Sequence, residues 1–188
     1  MRRTYVFAAV SSLALLVAPW AIAQTRSTTF RTATSQPHPR AEWGAPLVDV
    51  KRDGDRWTIA GKRNTVTVSG EDLGLSIRSG ATTWVMQPSS NGDLIVKSQG
   101  KELETTLSDA ATIEVVPYDT GYKTGVKLTL SHWKDAPELV LFLTVCLEGK
   151  DEELVTDVAA DESRGTIVRR LDWPGPLDAP LHQSRSRY

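Results

Sequence analysis

The sequence predicts an all-β protein, an antiparallel β-sandwich of about ten or more strands with little helix. Three observations carry that expectation. From Leu47 onward apolar and polar residues alternate at a period of two, as in Val66 and Val68, then Leu73, Leu75 and Ile77, then Val126, Leu128 and Leu130. That is the pattern of strands with one face on a core and the other toward water. Turn-forming runs recur between them: Gly61-Lys62-Arg63-Asn64, Ser79-Gly80, Ser89 to Asp93, Gln99-Gly100-Lys101 and Pro117 to Gly125. Short strands joined by such breaks form a meander. No segment of helical length holds a 3.6-residue apolar stripe, and the nearest approach to a helix is a turn around Leu107 to Ala111.

The elements follow in order. Residues 1–23 read as an export signal: Arg2 and Arg3, an apolar run from Val6 to Val17 broken only by Ser11 and Ser12, then the cleavable Ala21-Ile22-Ala23. Pro19 and the lack of a charged stop after Gln24 argue against a membrane anchor, and no cysteine at the cut supplies a lipid anchor. This predicts a periplasmic or extracellular protein with no membrane attachment after signal cleavage. Residues 24–46, rich in Ser, Thr, Pro and Arg, read as a flexible linker, because they bury too little to offset ordering entropy. Residues 47–173 form the predicted sandwich, and 174–188 an irregular tail that reads as a truncation scar.

The run LVLFLTVCL, residues 139–147, has apolar residues on both prospective faces. Leu139, Leu141, Leu143, Val145 and Leu147 make one face, and Val140, Phe142, Thr144 and Cys146 the other. At about nine residues it falls well short of a membrane-crossing helix. The charged knot Glu148 to Glu153 is a solvated hairpin turn, and Leu154 to Ala160 is the returning strand. In a two-layer sandwich the outer face of such a strand is polar. Val140, Phe142 and Cys146 are therefore expected to need cover from a third layer, a missing neighbouring domain or a second copy of the chain.

Composition excludes several partners and chemistries. Removing Arg2 and Arg3 from the 22 basic residues leaves 20 against 23 acidic ones, a formal charge of −3. No basic stripe suits a phosphate backbone, so nucleic acid is not an expected partner. Cys146 is the single cysteine, so no internal disulfide forms, and its apolar setting suits a packed thiol rather than a nucleophile. No metal-ligand spacing, phosphate loop or serine elbow appears, and no cofactor is expected.

The remaining polar candidates read as structure. The acidic residues Glu148, Asp151, Glu152, Glu153, Asp157, Asp161 and Glu162 read as a solvated run, and no glycosidase-like pair is assigned among them. Asp119-Thr120-Gly121 matches the aspartic-protease triplet by letters, but Tyr122-Lys123-Thr124-Gly125 follows where an apolar strand is required, so it reads as a turn. His38 and His182 fall in the two tails, leaving His132 as the one histidine of the folded region. Aromatic rings are the remaining lead, since a flat exposed ring stacks on a sugar face. Trp57 and Trp84 lie in strands and read as core, whereas Trp133, Trp173 and Tyr122 lie near loops and are the expected carbohydrate platforms.

The stretches GKRNTVTVSGEDLGLSIRSGATTWVMQPS, YDTGYKTGVKLTLS, LFLTVCLEGKDEELVTDVAA and VRRLDWPGPLD together resemble the N-terminal β-sandwich of large secreted bacterial glycoside-hydrolase-like proteins. That domain is similar to the galactose-mutarotase-like supersandwich, and the resemblance spans roughly residues 50–177. In those proteins a catalytic barrel carries the carboxylates, and the resemblance supplies none here. It implies a non-catalytic accessory domain of an exported carbohydrate-active protein, bracing a missing catalytic domain. A free-standing glycan- or protein-binding sandwich, self-associating through the Val140, Phe142 and Cys146 face, is the alternative. A mutarotase-like epimerase using His132 is the third reading.

Overall fold

The computed structural model describes residues 39–162 and 165–178, which form an all-β fold of thirteen strands. The predicted export signal, the predicted linker up to His38, and the tail from residue 179 with His182 lie outside the described residues. In chain order the strands are β1 (Asp49–Asp53), β2 (Arg56–Ala60), β3 (Asn64–Ser69), β4 (Leu75–Ser79), β5 (Thr82–Met86), β6 (Leu94–Ser98) and β7 (Lys101–Thr105). There follow β8 (Thr112–Asp119), β9 (Lys123–Ser131), β10 (Val140–Glu148), β11 (Glu153–Asp161), β12 (Ile167–Leu171) and β13 (Leu177–Asp178). They build a six-stranded sheet ordered β1-β2-β3-β4-β5-β13, a four-stranded sheet β11-β10-β9-β8 and a three-stranded sheet β12-β6-β7. Every pairing is antiparallel.

The period-two pattern sends one side of each sheet inward. Ile59, Val66, Val68 and Leu75 from the first sheet, Val126, Leu128, Leu130, Leu141, Leu143 and Val145 from the second, and Leu94 and Val96 from the third share a single core. The outer face of the six-stranded sheet is largely polar, with Lys51, Thr58, Thr67 and Ser76 in register across it and exposed Val85 beside Ser76. Pro117 lies in β8, an edge strand, where its missing N–H breaks no ladder bond on the open side.

Two elements differ in detail from the alternation. Leu73 is not part of a strand. It sits fully buried at φ 62°, and β4 begins only at Leu75. Its apolar side chain obeys the core while its backbone obeys the turn, so spacing alone could not separate the two. The turn foreseen near Leu107 is a short 3₁₀ helix, Leu107–Asp109, closed by a capping box between Thr106 and Asp109.

The two-sided strand β10 receives part of its cover within its own sheet. Its inner residues Leu141, Leu143, Val145 and Leu147 are core, as expected. On the outer side Cys146 is 0 % exposed and Thr144 is buried, while Val140 and Phe142 are half-buried. The neighbouring strands provide the shielding. Lys127 of β9 is itself buried, and its ammonium stands 5.0 Å from the Phe142 ring centroid. Lys123 bridges Glu148 at 3.2 Å and Asp157 at 3.1 Å, and Thr144 donates to Asp157 at 3.0 Å. Burial works against the charge on Lys123, but the Asp157 and Glu148 bonds outweigh it and raise its pKa. Cys146 therefore offers no surface to a partner, which corrects the expectation that it needs an outside roof.

The row beside Cys146 explains how the thiol is closed in. Tyr118, Gly125, Cys146 and Val155 lie side by side across β8, β9, β10 and β11. Gly125 leaves a gap that its flanking residues fill. Any Cβ at that position would run into the carbonyl oxygen of Val145 and the Cα of Cys146. Glycine in this strand is a requirement of close backbone approach.

The acidic turn is only partly solvated. Gly149 to Glu152 join β10 to β11 as a hairpin, but Glu152 turns inward and is 1 % exposed. Its carboxylate accepts the backbone N–H groups of Lys62 at 2.6 Å, Arg63 at 2.7 Å and Asn64 at 2.9 Å. Asn64 Nδ2 in turn donates to the Glu152 carbonyl at 2.8 Å. The hairpin of one sheet is thus clamped to the β2–β3 turn of another. Burial alone would push this carboxyl upward, but the three N–H donors and the Arg63 charge hold it below its ordinary 4.5.

Candidate functional site

The last part of the predicted linker is structured. Arg40–Trp43 form a single helical turn, α1, ended by Gly44 in the left-handed region at φ 65°. Arg40 anchors it, donating through Nη2 to Asp119 Oδ2 at 2.5 Å and to Thr124 Oγ1 at 2.9 Å. Asp119 is available for this because Asp119-Thr120-Gly121 is the β8–β9 turn, as its composition predicts. Its other oxygen accepts the Gly121 N–H at 2.8 Å, and Gly121 takes φ 83°.

This anchoring brings Trp43 against Tyr122. The two rings meet edge to face, with centroids 5.6 Å apart and planes at 63°. Tyr122 is supported from beneath by the neighbouring hairpin: its hydroxyl would lie 3.0 Å from a Cβ at Gly149, and the Gly149 N–H donates to the Tyr122 carbonyl at 3.0 Å. Only a residue without a side chain lets the phenol rest so close to that turn. Both rings nevertheless face water, Trp43 at 49 % and Tyr122 at 38 % exposure. Among the described residues they are the two exposed aromatics. Two ion pairs lie close by in sequence: Arg40, of the same turn as Trp43, with Asp119, and Lys123, next to Tyr122, with Glu148 at 3.2 Å.

Of the three predicted platforms, Tyr122 is exposed and the other two are buried. Trp133 is 2 % and Trp173 5 % exposed. Each is held inward by its indole N–H, from Trp133 to the Thr106 carbonyl at 3.1 Å and from Trp173 to the Leu73 carbonyl at 3.1 Å. Neither presents a face for stacking. Loop position suggested exposure, but an indole that satisfies a buried carbonyl on its way into a core has the same sequence signature. Trp43 escaped sequence reading because it sits in a stretch poor in apolar residues. Its one signal was being, with Phe30, one of two large aromatics in that stretch.

The other candidates fall elsewhere. Trp57 is buried beside Arg52, whose guanidinium stands 5.6 Å from its ring, and Trp84 is half-buried on the core side of β5. His132 is exposed at φ 63° with its Nδ1 2.9 Å from Ser131 Oγ. Asp151 pairs with Arg63 at 3.2 Å. Among the described residues no group of three His, Cys, Asp or Glu is disposed to hold a metal. Burial pushes the Cys146 thiol up to about 12, so it is not a nucleophile at neutral pH.

Clefts border Trp133 and Trp173. One of about 430 Å³ lies between β7 and the segment Trp133 to Ala136. The other, about 290 Å³, lies beside Trp173, between Met86, Ser90, Asp93 and Asp178. Their sizes are near those of small-ligand sites. No family model, curated protein or solved structure matches this chain.

Proposed function

We propose that this is a non-catalytic accessory β-sandwich of an exported carbohydrate-active protein, and that it holds a glycan on the Trp43–Tyr122 pair. The observation that carries this reading is the pair itself: two aromatic rings left in water, yet fixed by Arg40 from one side and by Gly149 from the other. An exposed aromatic pair held in a fixed orientation offers a ready face for stacking. A sugar ring offers C–H bonds of partial positive character to the negative face of an aromatic ring, while its hydroxyls reach the surrounding charged groups. The resemblance of residues 50–177 to sandwich domains of glycoside-hydrolase-like proteins supports the same setting, as does the export pattern of residues 1–23. The periplasm or the extracellular space is where such a protein meets polysaccharide.

The bracing role rests on the half-buried Val140 and Phe142, with exposed Val116 on the same outer face of the four-stranded sheet. That face is where a neighbouring catalytic domain, or a second copy, makes contact in this reading.

Affinity electrophoresis of the signal-cleaved chain through gels containing soluble α- and β-linked polysaccharides tests the glycan reading. Retardation by at least one polymer is expected, and it should disappear in Trp43→Ala and Tyr122→Ala. Free migration in every gel, or retardation indifferent to both substitutions, rules the reading out.

A further inference from the structure

We propose that the free edge of β7, together with the cleft beside it, docks an extended basic segment of another polypeptide, which joins the three-stranded sheet as a further strand. Among the described residues β7 pairs with β6 on one side only. An edge strand presents unpaired N–H and C=O groups that can template such an addition. What distinguishes this edge is the cleft of about 430 Å³ beside it, with Leu103 and Glu104 of β7, Val96 of β6 and the loop from Trp133 to Ala136 in its lining.

The alternation of β7 states what the incoming strand must look like. Leu103 pairs with buried Val96 and shares its face, so a residue opposite Leu103 points toward the apolar part of the cleft. Glu102 and Glu104 hold the alternate positions and are exposed, Glu102 with Lys97 of β6 directly opposite it and Glu104 at the rim of the cleft. A residue opposite Glu104 meets a carboxylate that Asp109 and Asp135 reinforce at the cleft, where the lining holds one ammonium, that of Lys134, while the charge of Glu102 is shared with Lys97 on its other side. The matching ligand therefore alternates basic and apolar side chains. A second copy of β7 is the wrong partner. Antiparallel pairing centred on Leu103 would set Glu102 against the Glu104 of that copy, twice, and like charges directly opposite destabilise a pair. The same charges that prevent self-pairing select a basic strand.

The test uses the signal-cleaved chain and three short labelled peptides: one alternating Lys and Val, one alternating Glu and Val, and the Lys/Val peptide N-methylated along the backbone edge that would face β7. Fluorescence anisotropy gives affinity, and backbone amide shifts give location. The Lys/Val peptide should bind and shift the amides of residues 101–105. The Glu/Val peptide should bind about tenfold more weakly or worse, as two reversed cross-strand charge pairs require. N-methylation should abolish binding. Glu102→Lys and Glu104→Lys are both at exposed positions, and a circular dichroism spectrum confirms that they fold. Each should weaken the Lys/Val peptide and strengthen the Glu/Val one. A Lys/Val peptide that does not bind, binding indifferent to N-methylation or to the two glutamate substitutions, or shifts confined to another surface would overturn the proposal. None of these readouts depends on Trp43 or Tyr122, so the glycan reading stands or falls separately.

Discussion

The carboxylate of Glu152 accepts the backbone N–H of Asn64 at 2.9 Å, across a sequence separation of 88 residues. With Lys62 and Arg63 donating to the same group, a single side chain from the β10–β11 hairpin satisfies three backbone donors of the β2–β3 turn. Gly61 makes room for it, since a Cβ there would meet Glu152 Oε2.

Glu152→Gln keeps the shape but loses the charge, and should cost about 1–3 kcal/mol, as expected for hydrogen bonds to an ionised acceptor. The pH dependence follows from the lowered pKa. The folded value lies below the ordinary 4.5, so the stabilisation is complete above that value and is lost as pH falls through the folded pKa. Urea unfolding at a series of pH values should show the wild-type protein losing stability in that acid window more steeply than Glu152→Gln. Parallel curves would show that the carboxylate does not titrate with folding.

Gly125→Ala should be among the most damaging single-methyl additions in the protein. The added carbon must displace the backbone of β10 at Val145 and Cys146, so a loss of about 3 kcal/mol or failure to fold is expected. Gly80→Ala is the control for a merely strained turn, because nothing lies within 4 Å of its Cβ position and only its φ of 58° resists the change. Thermal midpoints of the two variants check the order.

Cys146 should not react with a water-soluble thiol reagent at neutral pH while the protein is folded. Desolvation holds its pKa near 12, and no part of it reaches solvent. Labelling should appear only in denaturant and follow the unfolding curve. Rapid labelling of the native chain would mean that the Tyr118–Gly125–Cys146 row opens.

Trp133→Phe and Trp173→Phe each remove an indole N–H and leave the carbonyl of Thr106 or Leu73 without that donor. Each should destabilise the fold by about 1–3 kcal/mol while leaving retardation in a polysaccharide gel unchanged. Arg40→Ala should behave in the opposite way. Its ion pair with Asp119 is partly exposed and screened, so less than about 1 kcal/mol of stability is at stake, but release of α1 should weaken glycan retention. Denaturation midpoints and gel mobilities measured on the same samples separate the two effects.

The fold class was legible because alternation is a local property. Val66, Val68, Val126, Leu128 and Leu130 announce an inward face at any register, and all are core. The turns at Gly61 to Asn64 and at Asp119-Thr120-Gly121 were readable for the same reason, since their chemistry lies within a few residues. What the sequence could not declare was which distant surfaces meet. Cys146 looked uncovered because Gly125 of the next strand lets the sheet close around it, whereas Phe142, with the Lys127 ammonium 5.0 Å from its ring, stays half-buried. Glu152 looked like one of several solvated acids until three amides of another turn converged on it. Trp133 and Trp173 looked available until buried carbonyls claimed their indoles, while Trp43 became the exposed ring beside Tyr122 only when Arg40 reached the β8–β9 turn. Period and turn chemistry act over a few residues and therefore survive in the sequence, whereas burial and hydrogen-bond satisfaction are settled between segments that only the folded chain brings together.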